Sequence, residues 1–157
     1  METVTLTEAH HQLQRLTGAW EGEETCHPSP WNPEKNQALG RATCRLALGG
    51  FAVIGDYEQH KGGELSFTGH GVYTYDPATD EYVCHWFDSM GLAPSEFRGK
   101  LENGVMTLTC HDEQFGHCRL TYDLTAVEEK RYGFAMDMSQ DGVQWQPAME
   151  GSYRRTD

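Results

Sequence analysis

Ten short segments of alternating polar and apolar residues, each closed by a turn signal, run from Gly18 to the C-terminus. They fall at about residues 18–26, 40–48, 51–60, 65–75, 81–88, 95–101, 104–111, 117–125, 130–138 and 144–154. Val, Tyr, Phe, Thr and Trp are frequent in them, as β-strands favour. The breaks are Gly49-Gly50, Lys61-Gly62-Gly63, Asp76-Pro77, Asn103-Gly104 and Asp141-Gly142, which are hairpin turns or short turn clusters. No helical period intervenes, so parallel strands with crossover helices are excluded. Ten antiparallel neighbours leave long unpaired edges unless the sheet closes. The expected fold is therefore all-β: a roughly ten-stranded antiparallel up-and-down barrel.

Ahead of the strands, Leu6, Ala9, Leu13 and Leu16 recur at helical spacing, and Thr5 with Glu8 suggests a capping box. This predicts one short helix over about 5–16, ended by Gly18. With 157 residues, the whole chain, 1–157, reads as a single barrel domain, the barrel itself spanning about 18–155.

Side-chain alternation assigns an inner face. It places Trp20, Gly22, Glu24 and Cys26 inside, then Ala42, Cys44, Leu46 and Leu48. Further along it places Tyr82, Cys84, Trp86 and Asp88 inside, then Met106, Leu108 and Cys110. The last inner sets are Cys118, Leu120, Tyr122 and Leu124, and Tyr132, Phe134, Met136 and Met138. Segments 51–60 and 65–75 are mixed on both faces. Glu24, facing inward, requires a polar pocket or a local break in register, because a buried unpaired carboxylate is costly. Centring one hairpin on Gln114 sets Cys110 opposite Cys118 and His111 opposite His117.

All five cysteines come out inward, where free cysteine behaves as a small hydrophobe. Adjacent Cys-His pairs resemble metal ligands, but strand neighbours point to opposite faces, so no metal site is expected. An odd number of cysteines without a CxxC pair, and no apolar leader in Met1–Leu16, point to free thiols in a reducing cytoplasm. No stretch of 18 apolar residues exists. A net charge of −12 argues against nucleic acid or an anionic membrane as partner, since both repel it.

In an up-and-down barrel alternate connections share an end. The long connections, Pro28–Leu39 (with Pro28, Pro30, Trp31 and Pro33) and Ser89–Pro94, fall at one end with His27, His60, His85, His111 and His117. That end is expected to be the open mouth.

Gly18-Ala19-Trp20 after a short helix, with Arg154 or Arg155 closing the last strand, resembles the Gly-X-Trp and closing arginine of calycin (lipocalin-like) barrels; Arg154 is taken as the partner of Trp20. More specifically, the chain resembles a bacterial domain-of-unknown-function family, number 1579. The matching stretches are Leu48-Gly49-Gly50-Phe51, Asp56-Tyr57-Glu58-Gln59, Gly69-His70-Gly71-Val72, Trp86-Phe87-Asp88-Ser89-Met90-Gly91, Ser139-Gln140-Asp141-Gly142 and Met149-Glu150-Gly151-Ser152-Tyr153-Arg154. The resemblance implies a calycin-like barrel and no established activity. Related haem-binding nitrobindin barrels carry a histidine near the C-terminus; here the last is His117, and no cofactor is expected.

Three functions fit these residues. The first is binding of a small, largely apolar molecule inside the barrel by Trp86, Tyr122, Phe134, Met136 and Met149, with His70 and Asp88 as polar orienters. The second is an enzyme using a His70/Asp88 acid–base pair, with Ser89 as a conceivable nucleophile. The third is a homodimer or interaction module formed through an outward strand of Val83, His85 and Phe87.

Overall fold

The alternating segments pair in sequence order, and the last one meets the first. In the computed structural model, which describes residues 4–29 and 33–157, the strands are β1 (Gly18–Cys26), β2 (Asn36–Ala47), β3 (Ala52–Lys61), β4 (Glu64–Asp76), β5 (Glu81–Asp88), β6 (Ser95–Glu102), β7 (Val105–Asp112), β8 (Gly116–Asp123), β9 (Arg131–Ser139) and β10 (Gln146–Arg155). Each pairs antiparallel with its neighbours, and β1 pairs with β10 to close the barrel. Closure leaves no free sheet edge. The Asn103-Gly104 turn has positive φ at both residues, 53° and 79°, the geometry that suits a right-twisted two-residue hairpin. Pro30 and Trp31 lie outside the described residues.

The N-terminal helix is shorter than the spacing predicts. α1 covers Glu8–Leu13 and continues as a 3-10 turn over Gln14–Leu16. Its cap is Thr7, whose N–H and hydroxyl meet His10 Nδ1 at 2.9 and 3.0 Å. Leu6 lies ahead of this cap, with its side chain beside Gly50. The helix plugs one end of the barrel, with Leu13 and Leu16 buried. Hydrogen bonds fix it there: Gln14 to the Gly50 carbonyl (3.0 Å), Arg15 to the Leu124 carbonyl (3.1 Å) and the Tyr82 hydroxyl to the Ala9 carbonyl (2.8 Å).

Above the helix, Trp20 is buried and its indole N–H donates to the Leu16 carbonyl at 2.9 Å. Tyr132 meets it edge-on, with centroids 4.8 Å apart. The closing arginine is Arg155, not Arg154: its guanidinium sits 5.9 Å from the Trp20 ring centre. The pairing of β10 with β1 decides this: Arg155 stands opposite Trp20, on the face shared by Met149, Gly151 and Tyr153, while Arg154 stands opposite Glu21 on the outer face. Leu46 and Leu48 are also corrected; both are exposed, because β2 overruns the closed end and turns there through a 3-10 turn. Val83 faces outward but is 3% exposed. It is flanked in register by Thr74 and Arg98, and Arg98 reaches across this face to Asp76, Glu81 and Glu96. The outward apolar strip therefore shrinks to Phe87.

Truncating the plug contact tests this arrangement. Trp20→Ala should lower unfolding free energy in urea by about 3–5 kcal/mol, whereas Arg155→Met, removing the cation over the ring and its exposed pair with Asp157, should cost about 1 kcal/mol or less.

Candidate functional site

The interior divides into two halves. Below, toward α1, the inward side chains Val53, Tyr73, Tyr82, Cys84, Phe97, Met106, Leu108, Leu120, Tyr122 and Leu124 are all buried. Above, toward the end that carries connections 27–35, 62–63, 89–94, 113–115 and 140–145, the inward side chains are only partly covered. Cys26, Phe67, Trp86, Asp88, Cys110, Cys118, Phe134, Met136, Met138 and Met149 are all half-buried. The inward side chains are thus fully buried in the lower half and partly exposed in the upper half, termed the cup, which ends at the long connections.

Between the halves lies Glu24, with no exposed surface. Its carboxylate accepts from the Tyr57 hydroxyl at 2.7 Å, from the Gln59 amide at 3.0 Å and from the Tyr153 hydroxyl. These three donors are the polar pocket that an inward Glu24 demanded. The surrounding backbone makes room for it. A Cβ at Gly40 would stand 2.3 Å from a Glu24 carboxylate oxygen, and one at Gly151 2.7 Å from the Tyr153 hydroxyl. Tyr57, Gln59 and Tyr153 escape a pattern reading because β3 shows apolar residues on both faces; the inward acid was the one signal pointing to them.

On the opposite wall, Trp86 lies flat against glycine. A Cβ at Gly69 would sit 2.1 Å from its ring and one at Gly71 3.3 Å from it. Its indole N–H donates to Asp88 at 2.9 Å, and the other Asp88 oxygen takes the Met90 backbone N–H at 2.9 Å. Asp88 therefore locks Trp86 in place. Tyr57 stands beside Trp86, centroids 6.3 Å apart, and joins this wall to the Glu24 pocket. Tyr122 lies beneath the cup, its hydroxyl 2.7 Å from that of Tyr73 and its ring 5.1 Å from Phe134.

His70 does not enter the cup. Gly69 is the residue opposite Asp88, and His70 is opposite Phe87, so His70 and Asp88 face opposite sides of the sheet. The His70/Asp88 acid–base pair is removed by that parity. His70 instead bonds Asp56 through Nδ1 at 2.7 Å on the outer surface. With Thr68, Gly69, Phe87, Ser89 and the end of β5 at Asp88 they border a shallow depression of about 330 Å³.

His111 and His117 do stand opposite each other, as do Cys110 and Cys118. The imidazoles stack, with centroids 4.1 Å apart and planes 17° from parallel. Among the described residues no three His, Cys, Asp or Glu side chains are gathered to hold a metal. Burial pushes the Cys84 and Cys118 thiols up to about 12 and Cys44 to about 11; none of the cysteines is bonded in a disulfide.

Burial also raises the phenols of Tyr57, Tyr73, Tyr122, Tyr132 and Tyr153, and the Glu24 charge adds to the rise at Tyr57 and Tyr153. A raised folded-state value means that the folded protein holds these protons more tightly than the unfolded chain. Their contribution to stability is complete below about pH 10 and is lost as pH climbs above it. Spectrophotometric titration should therefore show little tyrosinate near pH 10, followed by a cooperative rise that coincides with unfolding. Gradual ionisation by a folded protein near pH 10 would contradict the hydrogen-bonded arrangement.

Set beside known proteins, the chain matches a family model described as protein of unknown function (DUF1579) over residues 5–155. No curated protein matches it. Its fold is similar to that of Rv2717c from M. tuberculosis, at 13% identity and a TM-score of 0.71, covering 98% of this chain and 100% of that one. It is also similar to the S-type phycobiliprotein lyase CPES from Guillardia theta, at 9% identity and a TM-score of 0.66, covering 95% of this chain and 93% of that one. At such identities the likeness is one of fold. No helix among the described residues is long and apolar enough to cross a membrane.

Proposed function

The chain belongs to the DUF1579 family, and from that premise we propose that it binds a small, largely apolar molecule in the open half of its barrel. The change from fully buried to half-buried inward side chains above Glu24 carries this reading. A cup lined by apolar and aromatic groups with few polar ones suits such a ligand. Trp86 offers a flat face held rigid by Asp88 and two glycines, so stacking costs it little entropy. Phe134, Met136 and Met149 form the rest of the contact wall, with Tyr122 as the floor beneath. The polar orienters are Tyr57 and Gln59 rather than His70. Both already donate to Glu24, which fixes their direction. Similarity in fold to a protein named as a phycobiliprotein lyase agrees with a barrel that holds an organic molecule.

A polarity-sensitive dye of the ANS type or a fluorescent fatty-acid analogue tests this. The native protein should bind one equivalent saturably, with quenching of tryptophan emission. Met136→Trp, which fills the cup, should weaken binding about tenfold or more. An absence of saturable binding by the folded protein would reject the reading.

A further inference from the structure

The wall facing Trp86 is made largely of sulfur. Strands β1, β10, β9, β8 and β7 are contiguous, and their inner residues in the open half form two rows. Cys26 stands opposite Met149, which stands opposite Met136. Cys110 stands opposite Cys118, which stands opposite Met138. Three of the five cysteines and three of the six methionines of the chain are thus gathered on one patch. We propose that the second row, Cys110, Cys118 and Met138, is a binding site for a monovalent soft cation, Cu(I).

Directly opposed residues on antiparallel strands hold their Cβ atoms about 4.5–5.5 Å apart. Neighbours in the row, Cys110 with Cys118 and Cys118 with Met138, are therefore close enough to share one ion; the Cys110 sulfur, which meets the Glu96 backbone, would turn toward Cys118 to bind it. All three side chains are half-buried and inward, so an ion entering by the mouth can reach them. Two thiolates and a thioether are soft donors, and Cu(I) accepts three of them without a fourth ligand. Zinc in a closed site takes four ligands, usually thiolate, imidazole or carboxylate; among the described residues no third group of those kinds joins the two thiols. Cys84 is also inward but lies in the filled half with no exposed surface, where no ion can reach it. Binding leaves copper in the same oxidation state: each of the two Cu–S(cysteine) bonds forms as a thiol proton passes to solvent, and the Met138 thioether adds through its lone pair, so two protons leave per ion.

The test is anaerobic titration of the reduced full chain with Cu(I) against a chromophoric chelator, with X-ray absorption at the copper edge. One Cu(I) per chain, surrounded by sulfur alone, is expected. Cys118→Ser should weaken retention about a hundredfold. Met138→Leu, which conserves volume and so spares the fold, should weaken it about tenfold. Cys26→Ser, on the other row, should leave it unchanged. Failure of the wild-type chain to hold copper against the chelator would overturn the proposal, as would equal retention by a folded Cys110→Ser/Cys118→Ser double variant. Copper bound without any dye binding would keep this inference and reject the apolar-ligand reading.

Discussion

A carboxylate that is wholly withdrawn from water holds the interior of this barrel together. Glu24 on β1 takes hydroxyl donors from β3 and β10 and an amide from β3. Those strands lie on either side of it across the closure, so one side chain ties the seam of the barrel to the wall beyond β2. Removing any one partner would strand a charged or polar group where water cannot replace it, which is far more costly than a single hydrogen bond suggests. The glycines at 40 and 151 are consequences of the same group, because a Cβ at either would collide with the acid or with its tyrosine.

From that node, packing runs both ways. Downward, Tyr153 stacks on Tyr132, centroids 5.0 Å apart, and Tyr132 meets Trp20, which rests on the helix and under Arg155. This column closes the barrel floor. Upward, Tyr57 leads to Trp86 and to the Asp88 that aligns it. The node separates inward side chains that are fully buried from inward side chains that are half-buried. Under the proposed reading, what the cup holds follows from its two unlike walls: a rigid aromatic face with two hydrogen-bonding groups, and a polarisable sulfur face. Sulfur and aromatic surfaces pack well against flat apolar molecules, and the same sulfurs are soft donors.

Strand order, barrel closure and the Cys110–Cys118 register were legible because period-2 alternation and turn chemistry act locally. So was the need for donors around Glu24. The face of His70 was not. On β4 the inward positions beside it are Gly69 and Gly71, which carry no side chain because Trp86 occupies their space. Alternation has nothing to mark at such positions, and His70 stood out as if it were the buried group. Arg154 against Arg155 failed for a related reason: two identical residues end the strand, and only the pairing of β10 with β1 tells them apart. Leu46 and Leu48 obey the alternation of β2 but lie beyond the level at which the core ends, which parity does not encode.

The division of the barrel at Glu24 can be read residue by residue from its own free thiols. Native protein would be treated with N-ethylmaleimide for increasing times, and each cysteine followed by peptide mass spectrometry. Cys26 and Cys110, half-buried in the cup, should be modified while the protein remains folded. Cys84, in the filled half, should be modified only at the rate of global unfolding. Modification of Cys84 in the folded state as fast as Cys26, or protection of all three alike, would contradict an interior that is open above Glu24 and solid below it.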